Sequence, residues 1–211
     1  MRRVKLRRAR RRGRAGLVIG LTGSIAMGKS TAAAFLKRLG ILVFDADAAV
    51  HAHMGPGGKA TRAIAARFPG TVGPKGVDRK ALGALVFGDK AALTALEHIT
   101  HPLVGADRGR FLARAALARR SIVAIDVPLL FEGRGPNEYD AVVVVSAPAF
   151  LQRQRALARP GMTPERLKGI LARQWPDAKK RRHADVVIPT GLGKRETLRL
   201  LRQFLTLLHK I

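Results

Sequence analysis

The feature that most constrains this chain is the run Gly23-Ser24-Ile25-Ala26-Met27-Gly28-Lys29-Ser30, which fits the pattern G-x-x-x-x-G-K-[ST]. Its flanks have the texture that pattern requires. Residues 17–21 (LVIGL) are short, apolar and rich in branched side chains, as a buried parallel strand is. Residues 30–39 put Phe35, Leu36 and Leu39 at helical spacing, and Gly40 supplies a C-terminal stop. A glycine loop between strand and helix turns its backbone N–H groups inward, and the helix start adds positive potential. Such a cradle suits the phosphates of a nucleotide. Lys29 brings a point charge to it, and the Ser30 hydroxyl is a ligand for the Mg2+ that accompanies ATP.

The rest of the chain repeats the alternation. A second apolar run at 41–44 closes on Asp45-Ala46-Asp47, and further strand-like runs stand at 121–125, 141–145 and 185–188 with helical patterns between them. Five strands alternating with helices predict an α/β fold, a five-stranded, mostly parallel sheet with helices on both faces. Residues 55–76 are rich in Gly, Pro and scattered charge, and residues 79–119 are rich in Ala and Leu with helical periodicity. They read as a helical insertion. At 211 residues and 47% hydrophobic content the chain can bury one core of useful size. The expected organisation is a basic, disordered leader at 1–16 and a single domain at 17–211, with an insertion at about 56–119 and a small lid at about 152–166.

A formal charge of +26 first suggests a nucleic-acid partner. Its distribution argues otherwise. Arginines crowd the opening MRRVKLRRARRRGR, and the remainder recur singly on helix faces, while only 5% of residues are aromatic, too few for stacking platforms. No apolar run approaches the length of a membrane span, and the chain has no cysteine, so disulfides and thiolate sites are excluded. The expectation is a cytoplasmic protein without a membrane or specific nucleic-acid partner, a monomer or weak homo-oligomer.

The sequence lacks the D-x-x-G and N-K-x-D runs of a switch GTPase, which leaves small-molecule kinases as the main class. These need a carboxylate for the acceptor hydroxyl and arginines over the transferring phosphoryl group. Asp45 and Asp47 stand where the second strand ends, at the edge where parallel sheets form their ligand crevice, and one of them is expected to face the phosphate loop. Asp126, at the end of the third strand, suits either a magnesium ligand or a partner for a neighbouring cation. Arg155 and Arg159 are four apart, so on one helix they share a face that can close over phosphates.

From residue 17 to its end the chain resembles the dephospho-coenzyme A kinase family. The motifs that carry the resemblance are GLTGSIAMGKST, FDAD, His101-Pro102-Leu103, DVPLLFE at 126–132, GMTPE at 161–165, ILARQ at 170–174 and ADVVIPTG at 184–191. The resemblance implies ATP-dependent phosphorylation of the ribose 3′-hydroxyl of dephospho-coenzyme A, with Mg2+. It implies that Asp47 is the base, that Arg155 is a lid arginine with Arg159 beside it, and that Gly23, Ala26, Met27, Gly28, Lys29, Ser30 and Thr31 contact ATP. Thr190 and Gly191 then border the adenine, the helical insertion receives the coenzyme, and His101 and Leu130 lie on the acceptor side. A nucleoside monophosphate or other small alcohol is the alternative acceptor. Two positions depart from the family pattern: Ala26 stands where glycine is usual, and Thr190 where asparagine is common. The run Lys179-Lys180-Arg181-Arg182-His183 reads as a solvated helix face, Trp175 as a packing residue, and His101, before Pro102, as a helix-end residue.

Overall fold

A computed structural model describes residues 16–133 and 135–209. Of the leader expected to be disordered, residues 1–16, all but Gly16 lie outside them. In chain order β1 (Leu17–Thr22), α1 (Lys29–Arg38) and β2 (Leu42–Asp45) lead into α2 (Ala46–Met54), α3 (Thr61–Arg67), the hairpin of β3 (Val72–Gly73) and β4 (Gly76–Val77), α4 (Arg79–Val86) and α5 (Lys90–Leu117). There follow β5 (Ile122–Asp126), β6 (Ala141–Ser146), α6 (Ala149–Leu157), α7 (Pro164–Ala172), α8 (Asp177–His183), β7 (Val186–Pro189) and α9 (Lys194–His209). Among the described residues these elements form two compact units, 16–44 with 115–133 and 135–209, and 45–114.

The first unit holds the expected five-stranded parallel sheet, in the order β2-β5-β1-β6-β7. β1 is central, with Leu17 opposite Ile122 of β5 and Ile19 opposite Ala141 of β6. Aspartates just before two strands, buried Asp140 and half-buried Asp185, set where those strands begin. Asp140 Oδ2 accepts a hydrogen bond from Val18 N–H at 2.7 Å, and Asp185 Oδ2 accepts one from Val142 N–H at the same distance. Because side chains alternate along a strand, Leu17, Ile19 and Leu21 share one face. That face packs against Ala32, Ala33 and Leu36 of α1 and Leu201, Phe204, Leu205 and Leu208 of α9. On the other side of β1, Leu130 and Tyr139 close so tightly on Gly20 that a Cβ there would lie 2.7 Å from Leu130 Cδ1. The chain crosses from one side of β1 to the other between β5 and β6, so the end of β1 is a topological switch point, where parallel sheets bind ligands.

The second unit is mainly helical around its own core of Met54, Ala60, Ile64, Phe68, Leu82 and Ala92. The periodic stretch from residue 79 is helical, as expected, and holds two helices, since Asp78 and Asp89 each start one by accepting backbone N–H groups. The Gly- and Pro-rich region also contains a small antiparallel hairpin. The expectation that His101 marks a helix end is corrected: α5 runs through Pro102. A proline leaves the carbonyl four residues earlier without its helical donor, and His98 and Pro102 are both exposed, so that loss falls on the solvent side of the helix.

Candidate active site

Between β1 and α1 the chain makes a tight turn whose geometry follows from its glycines. At Gly23 a Cβ would sit 2.5 Å from Val145 Cγ2, so no side chain fits. Gly28 takes φ 90° and begins α1 without any side-chain cap, which leaves the first N–H groups of the helix for a ligand. Ser30, exposed, stands in that first turn. The buried Ser24 hydroxyl has no hydrogen-bond partner. Ala26 has φ 60°, a left-handed conformation that costs a residue with a Cβ about 1–2 kcal/mol. Its methyl group is buried with Ala156 and Leu167, and Ile25, Leu157, Met162 and Leu171 pack against them, which offsets part of that strain.

Two charged side chains meet this loop. Lys29 Nζ donates to Asp126 Oδ1 at 2.7 Å, so the loop lysine and the aspartate that ends β5 form a largely buried ion pair. Arg155, on α6, donates through Nη2 to the Thr190 carbonyl at 2.9 Å and through Nη1 to its hydroxyl at 3.3 Å. That hydroxyl in turn donates to the Met27 carbonyl at 2.7 Å. Thr190, just past β7, thereby ties the arginine to the phosphate loop, and Gly191 follows with no room for a Cβ beside Pro148. Arg159 is not on the helix face of Arg155: α6 ends at Leu157, before Pro160-Gly161.

The other candidates lie as follows. Asp45 caps α2, accepting from Ala48 N–H at 2.9 Å, so its carboxylate is already engaged. Asp47 is exposed in the first turn of the same helix. The FDAD run is therefore a strand end followed at once by a helix. His101 is exposed within α5. Leu130 is only 2% exposed and packs on β1, whereas its neighbour Leu129 is 46% exposed. Past α6, Thr163 caps α7 and Pro164 occupies its first turn; the Glu165 carboxyl is held below the usual carboxylate range by a backbone hydrogen bond and the Thr163 hydroxyl.

Comparison with known proteins gives a consistent result. A family model described as dephospho-CoA kinase matches residues 17–193. The chain belongs to the dephospho-CoA kinase family. It is 56% identical over 193 residues to a dephospho-CoA kinase of Rhodospirillum rubrum, covering 90% of this chain and 91% of that one. It is 61% identical over 164 residues to that of Paramagnetospirillum magneticum, covering 78% and 77%. A crystal structure of a Thermus thermophilus protein superposes with a TM-score of 0.80 at 33% identity, covering 90% of this chain and 97% of that chain.

Within this member of the dephospho-CoA kinase family, several residues around the loop escaped sequence reasoning. The run from Lys179 is not wholly a solvated face, because Lys180 is 0% exposed and its ammonium group lies 2.8 Å from Glu132 Oε1. Glu132 Oε1 also accepts from the Trp175 N–H at 2.6 Å, while the indole stacks on Phe131 with ring centroids 5.5 Å apart. Trp175 does pack, as expected. Gln152 and Gln174 both bind the backbone of Ile25. Gln174 ends the ILARQ motif, but no spacing in the sequence says what its amide touches.

Proposed function

We propose that this chain transfers the γ-phosphoryl group of ATP to the ribose 3′-hydroxyl of dephospho-coenzyme A, giving coenzyme A and ADP. The observation that carries the reading is a phosphate loop with an uncapped helix start and the Lys29–Asp126 pair, in a chain similar to dephospho-CoA kinases over most of its length. In the reaction the 3′-oxygen forms a bond to the γ-phosphorus as the bond from that phosphorus to the β,γ-bridging oxygen breaks. Asp47 accepts the hydroxyl proton, and Lys29 and Arg155 offset the charge that develops on the phosphoryl oxygens.

For Arg155 this means exchanging its bonds to Thr190 for phosphate oxygens. The Ser30 hydroxyl and the Asp126 carboxylate are hard oxygen donors and fit Mg2+. When bound, Mg2+ neutralises charge on the β- and γ-phosphates. Thr190 and Gly191 border the adenine, residues of the insertion at about 56–119, His101 included, receive the acceptor, and the segment at about 152–166 acts as the lid. Among the described residues no helix is long and apolar enough to cross a membrane. We place the enzyme in the cytoplasm as a monomer or weak homo-oligomer with a small-molecule partner.

A panel of acceptors with labelled ATP tests the reading. Dephospho-coenzyme A should be the preferred acceptor; faster labelling of nucleoside monophosphates would overturn it.

A further inference from the structure

We infer that Gln152 and Gln174 are positioning residues that hold the phosphate loop in its ATP-binding shape. The inference deepens the proposed function and rests on the ATP half of it. Gln152, buried on α6, donates through Nε2 to the Ile25 carbonyl at 2.9 Å. Gln174, just beyond α7, accepts the Ile25 N–H through Oε1 at 3.0 Å. The two peptide units on either side of Ile25 are therefore each fixed by a side chain.

A trans peptide points its C=O and the next N–H in opposite directions. Anchoring the Ile25 carbonyl on Gln152 thus turns the Ala26 N–H away from the Gln152 amide, which on this inference aims it into the phosphate cradle. Ala26 makes this support necessary. Its φ of 60° is unfavourable for a residue with a Cβ, so an unheld Ile25–Ala26 peptide relaxes by rotating its N–H out of the cradle. The two glutamines lie at the two ends of the segment that carries Arg155 and the lid helix α7, so the base of the lid and the phosphate loop are one hydrogen-bonded unit. Sealing it, the Ala26 methyl packs with Ala156 and Leu167 from α6 and α7.

The test is calorimetric titration of ATP with Mg2+ into the full chain carrying Gln152→Leu or Gln174→Leu, each also made with Ala26→Gly. Each single substitution should weaken ATP binding about tenfold, the worth of one strong hydrogen bond. The KM for dephospho-coenzyme A should stay unchanged. With glycine at position 26 the same substitutions should cost less than about threefold, because glycine holds the left-handed conformation unaided. A lowered Tm with unchanged ATP affinity would reduce the glutamines to packing residues, and equal losses in both backgrounds would remove the role assigned to Ala26. Should Gln152→Leu fail to fold, Gln174→Leu, at a half-buried site, carries the test alone. Wild-type protein that binds ATP but does not phosphorylate dephospho-coenzyme A would sink the proposed function and leave this inference intact.

Discussion

Asp45 and Asp47 are chemically identical and two residues apart, yet the backbone separates their tasks. Asp45 accepts the Ala48 N–H and starts α2, a job that asparagine performs equally well, so Asp45→Asn should change stability by less than about 0.5 kcal/mol in urea titration. Asp47 makes no cap, and an amide there cannot take a proton. Asp47→Asn should lower kcat by about 10²–10⁴-fold while ATP affinity changes little, measured by steady-state kinetics beside calorimetry. The Glu132–Lys180 pair calls for a different experiment. Because Lys180 is fully buried, Lys180→Met strands the Glu132 charge and should cost about 3–5 kcal/mol, read from urea midpoints. Adding Glu132→Leu should recover much of that loss, although the Trp175 N–H then loses its acceptor.

Among the elements, α5 carries the most visible local conflict, a proline twelve residues into a 28-residue helix. Pro102→Ala restores a donor for the His98 carbonyl at an exposed position and should stabilise the protein by about 1–3 kcal/mol, seen as a raised Tm. If acceptor KM rises in the same variant, the proline serves the substrate at the expense of the helix. The start of α7 is the opposite case, where every residue agrees: Thr163 caps, Pro164 sits in the first turn, and Glu165 complements the dipole. With its folded pKa depressed, Glu165 contributes stability at and above the ordinary carboxylate range, and that contribution is lost as pH falls through the folded value. The helix most easily overlooked, α9, has its buried Leu201, Phe204, Leu205 and Leu208 at helical spacing. The sheet face it covers shows why it is needed.

For the molecule as a whole, the charge of +26 and the chemistry should prove separable. Removing residues 1–16, which hold a dense run of arginine, should weaken retention on heparin and its salt dependence while leaving turnover of dephospho-coenzyme A within about twofold. Loss of turnover with the leader would assign it a part in the reaction. What the sequence by itself determined was local. The five strands, the phosphate loop and the helix after it are legible because short continuous apolar runs, glycine turns and helical spacing are properties of neighbouring residues. The motif also located Lys29, and strand ends located Asp126. Only the tertiary structure decided that these two pair, that Thr190 joins Arg155 to Met27, and that Gln152 and Gln174 converge on Ile25. It alone turned Lys180 inward. Those contacts join residues far apart in the chain, and a side chain's partner across such a distance is set by how helices and strands pack, which no local pattern encodes.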